Sequence, residues 1–332
     1  MPQAQVKPLV VVFGATGESG RQIVDGLLRS NVFRVAAVVR DLAKPAAAKL
    51  AEKGVALHHA DLLTVTQERL QDILTGADTA IAVLLPNCIG AQRKIADAAK
   101  VVGLKRFIPN DFATDTPKGV MLLQDRKLAI RDYVREIGIG HTFIEVGWWM
   151  QLSVIYPPHI NSRTADMPRN FIGSGEVPFA VTDEFHIGDY VARVTQDERT
   201  LNQTVFIWDD EVTQTEVWEH AQRKYGPSIL EKKKVVRRPH ATRFFQHPTE
   251  DVLTALESAR TGGSEQVMAR YLYEYWYTLF IRGDNTAAKA KANGALDFKE
   301  LYPDIKTSTF AEYVERVDKD PYVPPQLERE IE

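Results

Sequence analysis

The chain has 332 residues and a formal net charge of −3, with 44% hydrophobic and 26% charged residues. These ordinary values predict a globular protein without general attraction to nucleic acid or anionic membranes. The one cysteine, Cys88, excludes an internal disulfide and a cysteine-based zinc site, so we expect no metal and a reducing, cytoplasmic compartment. No apolar run reaches the roughly 18 residues of a membrane-spanning helix, so we expect no membrane segment.

The first half of the chain alternates short apolar runs with helical patterns. In chain order, the predicted strands are 9–13, 34–39, 55–58, 79–84, 106–108 and 141–146. The predicted helices between them are 20–30, 46–53, 66–74, 91–102 and 125–137. This alternation is typical of βαβ units, so we predict an α/β fold with a doubly wound parallel sheet over residues 1–150.

The second half gives weaker patterns. It predicts helices at 189–194, 216–225 and 265–280, and strands at 204–208 and 234–237. We interpret residues 151–332 as mainly a smaller, partly discontinuous α/β substrate lobe, and we expect the strand near 203–208 to return to the first sheet. The aromatic stripe Tyr271, Tyr275 and Trp276 is interpreted as core packing rather than as a binding surface.

A glycine-rich loop, Gly14–Gly20, follows the first strand and precedes the first helix. Gly14 permits a tight turn, Gly17 lets a pyrophosphate approach the backbone, and Gly20 lets the helix pack closely. The N–H groups of the helix N-terminus are suited to phosphate binding. We therefore predict a Rossmann-type dinucleotide site that comprises Gly14, Thr16, Gly17, Glu18, Ser19 and Gly20. The GxxGxxG spacing is typical of short-chain and extended dehydrogenases.

The second strand ends at Arg40, where proteins that bind NAD usually carry an acidic residue. An arginine suits the 2′-phosphate of NADPH or NADP, and Lys44 or Lys49 could supply a second charge. Asp61 stands where such folds contact adenine, although capping of the next helix explains it equally well. The cofactor prediction is therefore NADPH/NADP, with a solvated surface role for Arg40 as the alternative.

The usual Tyr-x-x-x-Lys pair of short-chain reductases occurs only at Tyr302 and Lys306, near the C-terminus, where we interpret it as accidental. Asn110 and Phe112 follow the fifth strand, so we expect them near the nicotinamide. Lys127, on the next helix, could then donate a proton or stabilise an oxyanion. From the residues alone this role is weak, because helical lysines are usually solvated.

Several of these segments together resemble the isoflavone-reductase-like and phenylcoumaran benzylic ether reductase group of the NmrA-like atypical short-chain reductases. The segments are Gly14–Gly20, Val39-Arg40, Gln92 with Ile95, Gly103–Pro109, Lys127 with Ile130-Arg131, and Glu300–Thr307. Where the family has Ser-Glu-Phe, this chain has Asn110-Asp111-Phe112. The resemblance implies an NADPH-dependent reductase in which Lys127 is the catalytic acid/base, and it places Tyr302 in a structural C-terminal motif.

The segment after the sixth strand, Gly147–Gln151, departs from the plant members and looks closer to fungal members, many of which serve secondary metabolism. We predict an apolar pocket for an aromatic or polyketide-like small molecule, with core packing as the alternative for each residue. Its candidate residues are Phe112, Trp148, Trp149, Met150, Tyr156 and Phe179. His159 is a weaker candidate for a substrate contact.

The sequence is compatible with three functions. The first is NADPH-dependent reduction of an enone, quinone methide or carbonyl in an aromatic natural product. The second is a non-catalytic regulator that senses NADP(H), against which Lys127 argues, and the third is a redox-neutral step on the same fold. Both a monomer and a homodimer are compatible with the sequence. The basic segment Lys232–Arg238 is interpreted as a short strand with solvated ends.

Overall fold

The computed structural model describes residues 6–156, 167–230 and 245–318. The chain divides into two compact units. Within the described residues, unit 1 comprises 6–112, 123–145 and 184–205, and unit 2 comprises the remainder. The division differs from a single boundary at residue 150, because the chain enters unit 2 for residues 113–122 and returns to unit 1 for residues 184–205.

The regular elements in the described residues are as follows. The strands are β1 (Leu9–Phe13), β2 (Arg34–Val39), β3 (Ala56–His59), β4 (Thr79–Ala82), β5 (Arg106–Ile108), β6 (Thr142–Val146), β7 (Trp148–Trp149), β8 (Asn170–Ile172), β9 (Phe179–Thr182), β10 (Gln203–Ile207), β11 (Asp210–Val212), β12 (Phe245–His247) and β13 (Leu296–Asp297). The helices are α1 (Glu18–Ser30), α2 (Pro45–Glu52), α3 (Gln67–Leu74), α4 (Gln92–Val101), α5 (Leu122–Glu136), α6 (Met150–Ser153), α7 (Glu184–Gln196), α8 (Gln214–Tyr225), α9 (Thr249–Thr261), α10 (Val267–Trp276), α11 (Ala287–Ala292), α12 (Phe298–Leu301) and α13 (Phe310–Arg316).

Unit 1 contains a five-stranded sheet in the order β3-β2-β1-β4-β5, and every neighbouring pair is parallel. The apolar run of β1 explains its central place, because Val10 to Phe13 are fully buried and helices cover parallel sheets on both faces. An isolated parallel bridge joins Phe107 of β5 to His141, just before β6, and β10 lies beside β6. The predicted doubly wound parallel fold is confirmed.

Helices α1 and α7 pack against each other in unit 1 through two glycines. A Cβ on Gly26 would lie 2.0 Å from the carbonyl carbon of Gly188, and a Cβ on Gly188 would lie 1.8 Å from the carbonyl oxygen of Gln22. The sequence predicted only residues 189–194 of α7, because an interior glycine lowers helix propensity. Close approach to α1 explains why this helix contains a glycine.

Unit 2 contains short strands in two small sheets, β11-β9-β7 and β12-β8. One buried cluster of this unit includes Met150, Tyr156, Phe179, Leu279 and Phe310. The long aromatic helix predicted at 265–280 is α10 followed by a π-helical turn at Tyr277–Ile281. The predicted strand 234–237 lies outside the described residues. Within the described ranges, none of the helices has the length and apolar character to cross a bilayer.

Candidate dinucleotide and active site

The glycine-rich loop between β1 and α1 is tightly closed. Gly14 has a φ of +79°, and a Cβ there would lie 1.9 Å from the carbonyl oxygen of Val83. The amide of Gly17 donates to the carbonyl oxygen of Gly14 at 3.0 Å, and a Cβ on Gly20 would lie 2.1 Å from that same oxygen. Side chains are thus excluded at Gly14 and Gly20. Gly17 is the exposed N-cap of α1 and has no side chain to cap its amides, which leaves donors for an anion.

Two carboxyl groups lie beside this loop in unit 1. Glu18 is the first residue of α1, and Glu184 is the first residue of α7. Burial raises the pKa of Glu18, while burial and the neighbouring Glu18 raise the pKa of Glu184 to about 8; Arg21 opposes both shifts. Glu184 was not predicted from the sequence, because the packing of α7 on α1 brings it to the loop. Thr16 and Ser19 are half-buried.

The residues predicted to contact the adenosine half are spread around the end of β2. Arg40 is exposed directly after β2, Lys44 is the N-cap of α2, and Lys49 is exposed in the last turn of that helix. The carboxylate of Asp61 accepts from the amide of Leu63 at 2.9 Å. Helix α3 is capped by Thr66, so the alternative that Asp61 caps this helix is wrong. Adenosine contacts at these residues stay a prediction.

Asn110 links the carboxyl ends of β4 and β5. Its side-chain amide donates to the carbonyl oxygen of Leu84 at 2.5 Å, and its backbone amide donates to the side-chain oxygen of Gln92 at 2.6 Å. Gln92 is fully buried and also donates to the carbonyl oxygen of Ile89 at 3.2 Å. These bonds fix the crevice edge where doubly wound folds bind their ligands. Phe112, two residues later, is half-buried.

Lys127 is buried on α5, with only 6% of its surface exposed. Lys127 is therefore not exposed to solvent, although most lysines on helices are. Burial lowers the pKa of Lys127 to about 8; Asp111 opposes the shift and Arg131 adds to it. A lysine whose pKa lies near neutrality can both hold and release a proton, which is the property of a general acid/base.

A buried ion network lies close to this lysine in unit 1. Nε of Arg131 donates to Oδ2 of Asp111 at 2.5 Å, and the same guanidinium donates to Oε1 of Glu145 at 2.8 Å. The three side chains are between 1% and 6% exposed. The guanidinium also lies over the ring of Phe143, 5.3 Å from its centroid. Arg131 belongs to the family resemblance, but the network has no sequence signal, because its members lie on α5, on β6 and in the segment after β5.

Unit 2 contains an apolar cavity of about 60 Å³. Its lining residues are Trp148, Leu152, Ser153, Met167, Pro168, Phe179, Gln214, Val217, Trp218, Leu272, Tyr275, Trp276 and Phe280. The amide of Gln214 is already used, since it accepts from the amide of Ile172 and donates to the carbonyl oxygen of Asn170, both at 2.9 Å. The wall is therefore mainly apolar and aromatic.

The predicted substrate residues divide between this cavity and the core. Trp148 lines the cavity, whereas Trp149, Met150 and Tyr156 are not among its lining residues. Met150 and Tyr156 are fully buried in the core cluster, which supports the core-packing alternative for both. Tyr275 lines the cavity, lies 5.4 Å from Trp148 between ring centroids and packs against the core cluster, while Trp276 is buried in a second cluster, which supports the interpretation of this stripe as core packing.

The remaining candidates lie elsewhere. Tyr302 is 1% exposed and packs edge-on against Phe298 at 5.0 Å, while Lys306 donates to Glu312 at 3.2 Å. Each has a structural contact of its own, as expected for an accidental match. His159 and Lys232–Arg238 lie outside the described residues.

Comparison with known proteins assigns the family. A sequence model described as the NmrA-like family matches residues 6–314. An asnovolin J 5′,6′-dehydrogenase from Aspergillus novofumigatus is 31% identical over 322 residues, which cover 93% of this chain and 94% of that protein. An isoflavone reductase homolog from Zea mays is 26% identical and covers 94% of this chain and 99% of its own length.

A solved structure supports the fold. The complex of leucoanthocyanidin reductase with NADPH from Vitis vinifera has a TM-score of 0.73 at 20% identity, covering 93% of this chain and 98% of that one. The fold similarity extends over nearly the whole of both chains, and the sequence match covers the residues that form the glycine-rich loop and α5. The chain belongs to the NmrA-like family.

Proposed function

We propose that this protein is an NADPH-dependent reductase of an apolar, aromatic natural product, and that Lys127 acts as its proton donor or oxyanion stabiliser. The observation that carries the proposal is the buried Lys127, whose pKa is lowered to about 8 on the helix that follows β5. A lysine without a role would be solvated, because burying an ammonium group is costly. Several relatives are named as reductases, including an isoflavone reductase homolog and phenylcoumaran benzylic ether reductases.

The loop supports dinucleotide binding. Gly14 and Gly20 have no room for a side chain, and Gly17 leaves the α1 amides open to an anion, as a pyrophosphate requires. Arg40 would hold the 2′-phosphate from its exposed position after β2. Solved structures of similar fold are complexes with NADPH or NADP+, for example leucoanthocyanidin reductase with NADPH and a complex with NADP+ and (+)-pinoresinol.

The bound cofactor would supply a hydride to an electron-poor carbon of the substrate. The protein's contribution is then to orient the substrate and to manage one proton. Below a pH of about 8 Lys127 carries that proton at Nζ and can donate it to the oxygen on which negative charge develops. Rate should therefore fall as the pH rises through about 8, since the donor is lost on deprotonation.

The cavity of unit 2 supports an apolar substrate. Its aromatic walls, formed by residues such as Trp148, Trp218 and Tyr275, are suited to rings and methyl groups rather than to charged groups. A volume of about 60 Å³ is below the ~150 Å³ that holds a benzene ring, so this cavity would accept one small part of the substrate.

The experiment is to measure NADPH oxidation with a panel of aromatic enones, ketones and quinone methides, using wild type and Lys127→Met. We expect the variant to lose about 10²- to 10⁴-fold in turnover while NADPH affinity is kept. Lys118→Met, an exposed lysine near the start of α5, is the matched control and should retain full activity. Wild-type turnover by Lys127→Met would refute the catalytic role. NADPH binding without turnover across the panel would instead support the regulator.

Cofactor choice is tested separately with Arg40→Gln. We expect the preference for NADPH over NADH, measured as a ratio of dissociation constants, to fall about tenfold, because one charge-assisted contact is lost. Asp41→Asn, the exposed neighbour, should leave the ratio unchanged. An unaltered ratio in Arg40→Gln would mean that Arg40 is only a surface cation.

A further inference from the structure

We propose that Arg131 is a positioning residue for Lys127: held by Glu145, its guanidinium occupies one oxygen of Asp111 and so limits how strongly this carboxylate acts on the lysine. The inference rests on the proposed role of Lys127 and adds the residues that set how firmly this lysine keeps its proton. It is carried by hydrogen-bond geometry and burial in unit 1.

The first support is the placement of Arg131. It follows Lys127 by four residues on α5, so both side chains lie on one face of the helix. One edge of its guanidinium contacts Asp111 at 2.5 Å and another contacts Glu145 of β6 at 2.8 Å. With Phe143 against its face, Arg131 is held from three directions. A planar group fixed in this way can orient a carboxylate, which a flexible lysine could not.

The second support is the state of Asp111. Its Oδ2 is engaged by Arg131, whereas its Oδ1 is buried and accepts no hydrogen bond from the residues that the structure describes. A buried carboxylate oxygen without a donor is costly unless a positive charge lies within range. The ammonium group of Lys127 supplies that charge, and Asp111 favours the protonated lysine in return.

The third support is the balance of charge. With Lys127 protonated, the four side chains carry two positive and two negative charges and are neutral as a set. Loss of the lysine proton leaves one net negative charge in a buried site, where electrostatic interactions are strong. Burial favours the neutral lysine and Asp111 opposes that tendency, so the pKa of Lys127 falls to about 8 and no further.

These roles predict opposite effects of two substitutions on one measured quantity. Asp111→Asn removes the attraction and leaves Arg131 to repel the ammonium group, so the pKa of Lys127 should fall. Arg131→Gln removes the repulsion and releases Asp111 from its partner, so the pKa of Lys127 should rise. The charged groups acting on Lys127 among the described residues are Asp111 and Arg131. Glu145 faces Arg131, and Arg135 lies one turn further along, over the ring of Phe143.

The experiment is an NMR titration of the full chain labelled with ¹³C at the lysine Cε, with the Lys127 signal assigned from Lys127→Gln. We expect the pKa of Lys127 to fall by about one pH unit or more in Asp111→Asn and to rise by a similar amount in Arg131→Gln. Asp132→Asn, an exposed carboxylate on the same helix, is the matched control and should leave the titration unchanged. If Arg131→Gln does not fold, the double variant Arg131→Gln/Glu145→Gln removes a carboxylate together with the guanidinium and should show the same rise.

The proposal would be overturned if the pKa of Lys127 shifted in the same direction in both variants, or did not shift in Asp111→Asn. Residues with a purely structural role would not move this pKa in opposite directions. The titration needs neither substrate nor turnover. If the pKa of Lys127 shifts in opposite directions in the two variants but the protein has no reductase activity, the proposed function is refuted and this inference stands. If the protein is an active reductase but the two shifts are not opposed, this inference is refuted and the proposed function stands.

Discussion

Units 1 and 2 obtain their structure in different ways. In unit 1, β1 and β2 have five and six residues and pair by main-chain hydrogen bonds in a continuous parallel register. In unit 2, β7 and β8 have two and three residues, and distant side chains bind the backbone: Asp209 accepts from the amide of Asp183 at 2.8 Å, for example. Unit 1 is thus organised by regular pairing of its strands, while unit 2 relies more on long-range contacts of polar side chains with the backbone. The two units should therefore respond differently to substitution.

The largest effect is expected for Gly14→Ala. The new Cβ would meet the carbonyl oxygen of Val83 at 1.9 Å, and the φ of +79° is already unfavourable for alanine. We expect a loss of about 4 kcal/mol of unfolding free energy and at least about a 100-fold loss of NADPH affinity, measured by denaturant unfolding and calorimetry. Gly54→Ala is the control, because its φ is +81° but no atom lies within 4 Å of its Cβ. Equal losses of stability in Gly14→Ala and Gly54→Ala would show that the positive φ, and not the contact with Val83, causes the loss.

Asp209→Ala tests how much the long-range polar contacts of unit 2 stabilise it. It leaves the buried amide of Asp183 and the amide of Ser308 without their carboxylate acceptor. We expect a loss of about 3 kcal/mol of unfolding free energy with NADPH affinity unchanged. Glu219→Ala, on an exposed position of α8, should change stability by less than about 0.5 kcal/mol. A variant as stable as wild type would remove the distinction between the two units.

Gly26→Ala tests whether an added Cβ between α1 and α7 destabilises the protein as much as one in the glycine-rich loop. Its Cβ would lie 2.0 Å from the backbone of Gly188, so α1 and α7 must move apart. We expect a loss of about 2 kcal/mol, less than for Gly14→Ala, because a helix can shift where a tight turn cannot. The control is Gly90→Ala, which has open space around its Cβ. Melting temperatures provide the measurement, and equal values for both variants would contradict the close contact.

The smallest effect is expected for Glu184→Gln, and it depends on pH. Because the pKa of Glu184 is about 8 in the folded chain and near 4.5 when unfolded, the folded state binds more protons between these values and stability falls as pH rises through them. The variant removes that fall, so its stability relative to wild type should be greater at pH 8 than at pH 7 by about 1 kcal/mol. Glu136→Gln, an exposed glutamate, should show no such difference. A pH-independent difference for Glu184→Gln would contradict the burial of this carboxyl.

The sequence was most informative where apolar runs are long enough to show a period. The strands 9–13, 34–39 and 106–108 were predicted to the residue, and the glycine-rich loop was recognised between β1 and α1. In unit 2, β9, α9 and α13 were not predicted, because short strands and helices with mixed faces leave little pattern. The π-helical turn at Tyr277–Ile281 is another feature without a sequence signal.

The same limit applies within the candidate site. Lys127 could be selected from the sequence through its place after β5 and the family resemblance, but its burial could not. Nor could sequence show that Trp148 lines a cavity while Met150 and Tyr156 lie in the core. Neighbouring residues can face opposite environments, and only packing decides which environment each one meets.

By itself, the sequence determined the parallel α/β fold, the tight loop of Gly14–Gly20 and the family, because apolar periodicity, glycine spacing and family motifs can be read in short stretches of the chain. Only the tertiary structure placed Arg131 between Asp111 and Glu145, and Glu184 beside Glu18. Proton affinities depend on burial and on charges from distant segments, so these properties arise only when the chain has folded.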